Sequence, residues 1–365
     1  MDTNRPKKVH KVFGTRTYEL RQALEWLNAH KVTDVFMEST GQYWLPVFNI
    51  FTEADFQIIL ANPQRIKNVP GRKTDMKDAE WIAQLGRCGL IQSSYIPDPE
   101  VMALRLMTRR RLSYTQKRTQ AKNELHNILQ RANIKLTGYL SDIFSKSGQS
   151  LLQLFINGEV LTLENISDCL HGRVKASPED IRAAMDGKLS PVDRQLLDDS
   201  LDEYRFYTTK IGKIETAIEH YISEHFPDTY ALLMEIPGIK KQSAAVILGE
   251  IGPDVEAFHT VGHLSSWAGV SPGSNESAGK SSHSRTTRGN KYLKIALISS
   301  GGTAGRSKDA AFSALYHRMA ARGSKMKAIV ACAHKLLRII YKVLSDRVHY
   351  ETKKPLDCGH NPKAL

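Results

Sequence analysis

Cysteine is scarce in this chain of 365 residues, and the four that occur, Cys88, Cys169, Cys332 and Cys358, stand far apart without paired spacing. That excludes a disulfide framework and the clustered thiolates of a zinc site, and the four are read as reduced thiols. Long hydrophobic runs are missing too. No stretch approaches the roughly 20 apolar residues that a membrane span needs, and the amino terminus lacks the apolar core of a signal peptide, so a cytoplasmic protein with no membrane partner is expected. Acidic residues are outnumbered, 38 against 51 lysines and arginines, which leaves a formal charge of +13 and a pI near 9.4. Such a balance suits a polyanion, nucleic acid first, although net charge speaks to association and not to fold. The remainder, 41% hydrophobic and 24% charged, describes a globular chain long enough for two or three domains.

Residues 9–13 alternate apolar and polar as a half-buried strand does, and residues 17–30 carry leucine, alanine and tryptophan at helical spacing. A strand over 32–38 ends in Glu38, Gly41 makes a turn, a helix over 44–54 tolerates Pro46 in its first turn, and 56–61 is a second short apolar strand. This is a βαβ unit. With a helix starting at Asp75 and the short run 91–96 it predicts an α/β sheet, in which ligands gather beyond the carboxyl ends of strands. Glu38 stands at such an end, where a merely solvated edge is the other reading. Asp75 and Asp78, three residues apart, share one helix face at a helix mouth reached from the basic stretch Pro70, Gly71, Arg72, Lys73. Carboxylates held in that way suit Mg²⁺, which takes one or two of them together with phosphate oxygens. The same residues also read as a plain helix start, with Thr74 or Asp75 as cap and Asp78 and Glu80 opposing the dipole.

Between residues 101 and 123 no acid occurs, while Arg105, Arg109, Arg110, Arg111, Lys117, Arg118 and Lys122 punctuate a helical apolar pattern. Seven cations on a basic amphipathic helix repel one another unless phosphates or distant acids lie near, which favours nucleic acid over a solvated face. Residues 137–190 show short helical patterns broken by Gly148, Gly158, Gly172, Pro178 and Gly187, with no legible chemistry. Pro191 opens a long helix to residue 226 whose apolar residues recur at three- and four-residue steps, as in a coiled-coil or helical-hairpin seam that could join two protomers; Gly212 weakens it. A composition shift at Pro227 starts the last domain. There Pro237-Gly238-Ile239 joins two helices, either as an ordinary turn or as a helix hairpin offering backbone N–H groups to a phosphate beside Lys240 and Lys241.

Residues 271–290 form a polar, glycine-dotted, basic loop between apolar helical segments, and a loop of that kind inside a domain is often functional. Gly279-Lys280-Ser281 imitates the end of a phosphate-binding loop, but Ser274 stands where that motif needs glycine, so nucleotide hydrolysis is set aside. The better reading makes Ser277 a nucleophile, with Ala278 and Gly279 leaving room for a bulky substrate and Lys280, Arg285, Arg288 and Lys291 gathering its phosphate. A serine hydroxyl needs activation. His283 is poorly placed for it, so a metal or a substrate oxygen must help.

The specific motifs are Met37-Glu38-Ser39-Thr40-Gly41-Gln42-Tyr43-Trp44, Asn68-Val69-Pro70-Gly71-Arg72-Lys73-Thr74-Asp75 with Asp78-Ala79-Glu80-Trp81, Ile236-Pro237-Gly238-Ile239, and Trp267-Ala268-Gly269. To these are added Pro272-Gly273, Asn275-Glu276-Ser277-Ala278-Gly279-Lys280 and Arg288-Gly289-Asn290. With these, nearly the whole chain resembles the RuvC-like DEDD transposases of bacterial insertion sequences, the bridge-RNA-guided serine recombinases. The resemblance implies a RNase H/RuvC-like mixed sheet domain over residues 1–100, a basic helix and helical coiled-coil middle over 101–226, a mainly α transposase domain with a helix-hairpin-helix-like segment over 227–350, and a tail over 351–365. It implies that Glu38, Asp75 and Asp78 are three of four Mg²⁺-binding carboxylates and that Ser277 forms a covalent phosphoserine. It further implies a homodimer or dimer of dimers formed through the helical middle, with serine and carboxylates from different protomers. DNA is the implied substrate, both element ends and target, and a guide RNA the implied partner that chooses sequence by base pairing. Arg105, Arg109, Arg110, Lys117, Arg118, Lys122, Lys240, Lys241, Lys280, Arg285, Arg288 and Lys291 are the expected nucleic-acid contacts.

One departure stands against these agreements. The family opens with a strand ending in Gly-Ile-Asp, whose aspartate is the first metal ligand, and the 37 residues before Glu38 hold no counterpart, neither Asp2 nor Asp34 aligning with it. The first two strands of the sheet are therefore expected to be absent, leaving the Glu38 strand with an unpaired edge and the chain as written short of one ligand, through a misplaced start codon or a decayed gene copy. Two other functions stay open at this level: a truncated, inactive transposase that only binds nucleic acid, and a metal nuclease or junction resolvase that cuts by water without Ser277.

Overall fold

The structure, a computed structural model, describes residues 9–61, 75–91, 93–172, 174–273, 276–277, 280–281 and 286–351, with the backbone alone at 75–77, 276–277 and 280–281. Two compact units result, Met1–Pro97 and Asp98–Leu365. Among the described residues no helix is long and apolar enough to cross a membrane.

In the first unit, helix α1 (Thr17–Ala29) is opened by Glu19, whose carboxylate accepts from the Arg16 N–H at 3.0 Å, and it buries Leu20 and Ala23. Strands β1 (Asp34–Glu38) and β2 (Gln57–Ala61) run parallel, Asp34 opposite Gln57 and Glu38 opposite Ala61, joined by helix α2 (Trp44–Phe51). The expected βαβ unit is thus present, its interior made by Phe51, Leu60 and Ala61. Helix α3 (Asp75–Arg87) packs on β1, and Gly86 lies so close to the Phe36 ring that a Cβ there would overlap it.

Two expected strands do not form. Residues 9–13 run as irregular chain with Val9 and Val12 exposed, because alternation makes a strand only where a neighbour completes the ladder, and none does so among the described residues. Phe13 instead packs on the Trp26 ring of α1, 5.7 Å between centroids. The run 91–96 contributes a single antiparallel bridge, Ala61 with Ser93, before Pro97 and Pro99 end any ladder. The described sheet of this unit therefore has two parallel strands rather than a mixed set, and the chain as a whole is mostly helical.

The second unit is built on a long antiparallel helix pair, α4 (Pro99–Arg131) with α8 (Pro191–His225), each opened by proline at its first position. Three polar contacts fix the pairing. Arg131 meets Asp193 at 2.5 Å at one end, Arg111 meets Glu215 at 2.6 Å, and the Tyr221 hydroxyl donates to the Glu100 carbonyl at 3.2 Å at the other end. Leu104, Ala121 and Leu125 from α4 and Leu197, Leu201, Ile211 and Ile218 from α8 fill the seam, and α8 runs through Gly212 without a break. The seam the sequence suggested is hence a hairpin within one chain. At its tip a 3₁₀ turn (Leu136–Gly138) and helices α5 (Lys146–Asn157), α6 (Leu163–Cys169) and α7 (Pro178–Ala184) bury Leu151, Leu152, Ile166, Ile181 and Met185 in a core of their own. Hydroxyls of Ser145, Thr162 and Ser177 cap these three helices.

At the other end lie α9 (Pro227–Met234), α10 (Lys241–Ile251), α11 (Val261–Ala268), α12 (Lys291–Gly305), α13 (Ala310–Arg322) and α14 (Lys325–Asp346). Helix α14 is central, burying Ala328, Cys332, Ala333, Leu336, Leu337 and Ile340. Small residues of α12 let it approach closely, Gly301 lying against the Ala333 backbone. Burial raises the Cys332 and Cys169 thiol pKa values, which fits inert reduced cysteines.

Candidate functional site

Ser277 lies in a two-strand antiparallel ladder, β3 (Glu276–Ser277) against β4 (Lys280–Ser281), where it pairs with Lys280. The segment 271–290, expected as a polar loop between apolar helical segments, is tied down at its base. Pro272 and Thr286 bridge, the Thr287 N–H donates to the Ser271 carbonyl at 3.1 Å, and the Asn290 N–H donates to the Trp267 carbonyl at 2.8 Å. The Lys294 ammonium donates to the Thr286 hydroxyl at 2.8 Å. Gly269, with φ +73°, lets this base close, since its backbone abuts Gly289 with no room for a Cβ on either residue.

Asn290 is the hinge post of the loop. Its side-chain carbonyl caps α12 by accepting from the Tyr292 and Leu293 N–H groups at 3.0 and 3.1 Å. Its amide donates to Glu250 at 2.6 Å. Glu250, fully buried in α10, also accepts two bonds from the Arg109 guanidinium, both at 2.8 Å, and lies 3.5 Å from Arg105. Arg105, itself buried, donates to the Gly249 and Glu250 carbonyls at 2.9 and 2.7 Å. A forked arginine–carboxylate pair of this kind fixes orientation as well as charge. One buried carboxylate thus ties α4 and α10 to the start of α12, where the serine-bearing segment ends.

That network answers the question raised by the acid-free helix: distant acids neutralise part of it. Arg105 and Arg109 turn to Glu250 and Arg111 to Glu215, so Arg105 is withdrawn from the surface on which nucleic-acid contact was expected, because its burial demands fixed acceptors. Arg110, Lys117, Arg118 and Lys122 remain outward or half-buried, with Lys122 over the Phe144 ring at 4.3 Å. Lys240 is exposed at the start of α10, while Lys241 pairs with Glu219 at 3.0 Å. The turn between α9 and α10 is seated in the interior: Gly238, φ +85°, lies against Ser300 and Ala304 of α12, and Ile236 and Ile239 are buried. Its glycine is there for close packing on α12. Arg288 and Lys291 are exposed beside the hairpin, and Lys291 lies 5.0 Å from the Tyr292 ring. Arg285 and the Lys280 and Ser277 side chains lie outside what is described.

In the first unit Glu38 closes β1 and accepts from the Thr40 hydroxyl at 2.5 Å, just before the Gly41 turn (φ +55°). Asp75 and Asp78 start α3, which packs on β1. The Asp75 side chain lies outside the described residues, and among those described no three metal-ligating side chains gather. Glu250, and its pairing with Arg105, Arg109 and Asn290, could not be read from the motifs above. The available signal was a lone carboxylate in the otherwise apolar stretch 244–251.

A transposase architecture is what two family profiles recover. One, a transposase family of the DEDD type named for IS110, matches residues 1–134; the other, described as transposase IS116/IS110/IS902 family, matches residues 230–317. The chain belongs to the IS110 family of transposases. It is also similar to an insertion element IS110 uncharacterized 43.6 kDa protein of Streptomyces coelicolor, 33% identical over 127 residues. The aligned stretch covers 34% of this chain and 31% of that relative.

Proposed function

We propose that the chain is the DNA-cutting and DNA-joining enzyme of an insertion element, with Ser277 as nucleophile and Glu38, Asp75 and Asp78 as holders of Mg²⁺. The observation that carries the reading is the tethered hairpin: the Ser277 backbone is held in a ladder with Lys280, and the segment ends at Asn290, which is fixed to the buried Glu250. The family match supports the transposase class of the reading.

Ser277 Oγ attacks phosphorus of a DNA phosphodiester, its proton leaves, and the bond to one deoxyribose oxygen breaks as that oxygen takes up a proton. The product is a phosphoserine that conserves the energy of the phosphodiester, so a hydroxyl of another strand can displace the serine and rejoin DNA. Arg288 and Lys291, exposed next to the hairpin, hold the phosphate oxygens in place. Carboxylate oxygens at the end of β1 and in the first turn of α3 have the donor chemistry that Mg²⁺ prefers. When bound there, the metal supplies charge that polarises the phosphodiester. Sequence choice is delegated to a guide RNA, and the enzyme works as a homodimer.

The test is adduct trapping with labelled element-end and target DNA, Mg²⁺ and RNA transcribed from the element's flank, resolved on a denaturing gel. The chain should form a protein–DNA adduct that is lost in Ser277→Ala. Cutting that survives Ser277→Ala without an adduct would establish a water-using nuclease instead. Salt-sensitive binding with neither cutting nor adduct would establish a protein that only binds.

A further inference from the structure

Midway along the α4–α8 hairpin, six side chains form one surface cluster of rings and cations, with Arg110, Lys117 and Phe206 exposed and Tyr114, Tyr207 and Lys210 half-buried. Arg110, Tyr114 and Lys117 share a face of α4, four and three residues apart. Phe206, Tyr207 and Lys210 lie opposite on α8. The Tyr114 and Tyr207 rings are 6.2 Å apart, and Phe206 meets Tyr207 edge to face at 5.2 Å. Arg110 sits 4.9 Å from the Tyr114 centroid, Lys117 5.7 Å from Tyr207, and Lys210 5.2 Å from Phe206. Phe206 is 53% exposed, an unusual position for a phenylalanine. Among the described residues none of the three cations is paired with a carboxylate, whereas Arg111 and Arg205 beside them are.

We propose that this cluster is a stacking platform for unpaired nucleotides, on which bases lie against Phe206, Tyr114 and Tyr207 while Arg110, Lys117 and Lys210 neutralise the backbone. The inference rests on the nucleic-acid reading above and deepens it. Three cations without a carboxylate partner among the described residues suit an anion. Exposed rings call for flat apolar faces, and duplexes hide those faces within the base stack, so the polyanion is single-stranded. A second copy of the chain would reach this face through the same helical middle, and the oligomeric state of Phe206→Ala separates that case from the platform.

The test measures binding of the full chain to a short labelled single-stranded oligonucleotide of mixed sequence and to its duplex, for Tyr114→Ala, Phe206→Ala and Phe206→Tyr. Single-strand affinity should fall about 5- to 100-fold in each alanine variant, with duplex affinity unchanged, and Phe206→Tyr should retain it. Replacing Arg110, Lys117 and Lys210 together by glutamine should lower the salt slope of single-strand binding by about 2. Alanine variants that bind single strands like the parent, or that lose both forms equally, overturn the platform. So does a change of oligomeric state in Phe206→Ala, which would make the patch a contact between copies. The selectivity should persist in Ser277→Ala, so failure of the platform and failure of the serine chemistry are read separately.

Discussion

Replacing Glu250 by alanine removes the one carboxylate that Arg109 and Asn290 share and that Arg105 approaches at 3.5 Å. Glu250 is 0% exposed, so water cannot take its place without opening the packing of α10 on α4. Breaking a buried pair by deleting one partner costs about 3–5 kcal/mol, most of it the penalty of leaving a guanidinium uncompensated. Arg105 keeps its two backbone acceptors, which argues for the lower half of that range. Glu250→Gln preserves volume but sets an amide NH₂ against donors, and it should cost about 1.5–3 kcal/mol. Urea unfolding of the second unit, followed through its helical signal, measures both. The functional consequence differs from the stability one. With Asn290 released, the serine hairpin loses its post, and adduct formation at a temperature where the variant is folded should fall about 100-fold, as a misplacement near 1 Å can cause. Asn290→Ala should show much of that loss in adduct at a smaller cost in stability, about 1–2 kcal/mol, because the α12 cap is lost while the arginine pair survives. A Glu250→Ala variant within about 1 kcal/mol of the parent would refute the buried-hub account, because no buried ion pair could then be at stake.

Two further outcomes follow from named contacts. Gly289→Ala should displace the base of the serine hairpin, because its Cβ would run into the Gly269 backbone and the Trp267 carbonyl; a cost of about 1–3 kcal/mol in unfolding and a matching loss of adduct are expected. Asp193 is held at a pKa of about 2, first by the hydrogen bond from Arg131 and then by Ser190. A folded pKa below the unfolded value of about 3.9 means that this contribution is present above that pH and is lost as pH falls toward about 2. Asp193→Asn should therefore flatten the difference in helix stability across that window, measured by circular dichroism, and because the pair is exposed the effect should shrink in high salt.

How much of this was legible in the sequence depended on how local the cause was. The β1–α2–β2 unit and the start of α8 could be read because periodicity and Pro191 act within a few residues. Residues 9–13 misled because a strand is a property of two segments and the sequence displays one. Residues 271–290 read as a loop; the ladder within it is local, but its tether to Glu250 comes from a partner 40 residues away. Pro237-Gly238-Ile239 read as a phosphate-facing turn as readily as a core turn, and only the approach of Ser300 and Ala304 decides between them.

The arginines of α4 carry the more general lesson. An acid-free run was read as one surplus of charge, yet helix geometry had already divided it. Arg105 and Arg109, four residues apart, share the face that meets α10, whereas Arg110, Tyr114 and Lys117 share another. Counting apolar residues by face finds the buried stripe; counting cations by face separates those that need a protein carboxylate from those left for a ligand. The one acid that serves the inner face, Glu250, stands 141 residues from Arg109. A lone carboxylate inside an apolar helix cannot remain charged and buried without such a partner, so its presence at 250 and the inward arginines at 105 and 109 are two halves of one requirement. Once that pair is closed, the outward cations beside exposed rings are what the fold leaves unanswered, and single-stranded nucleic acid meets both their charge and their flat faces.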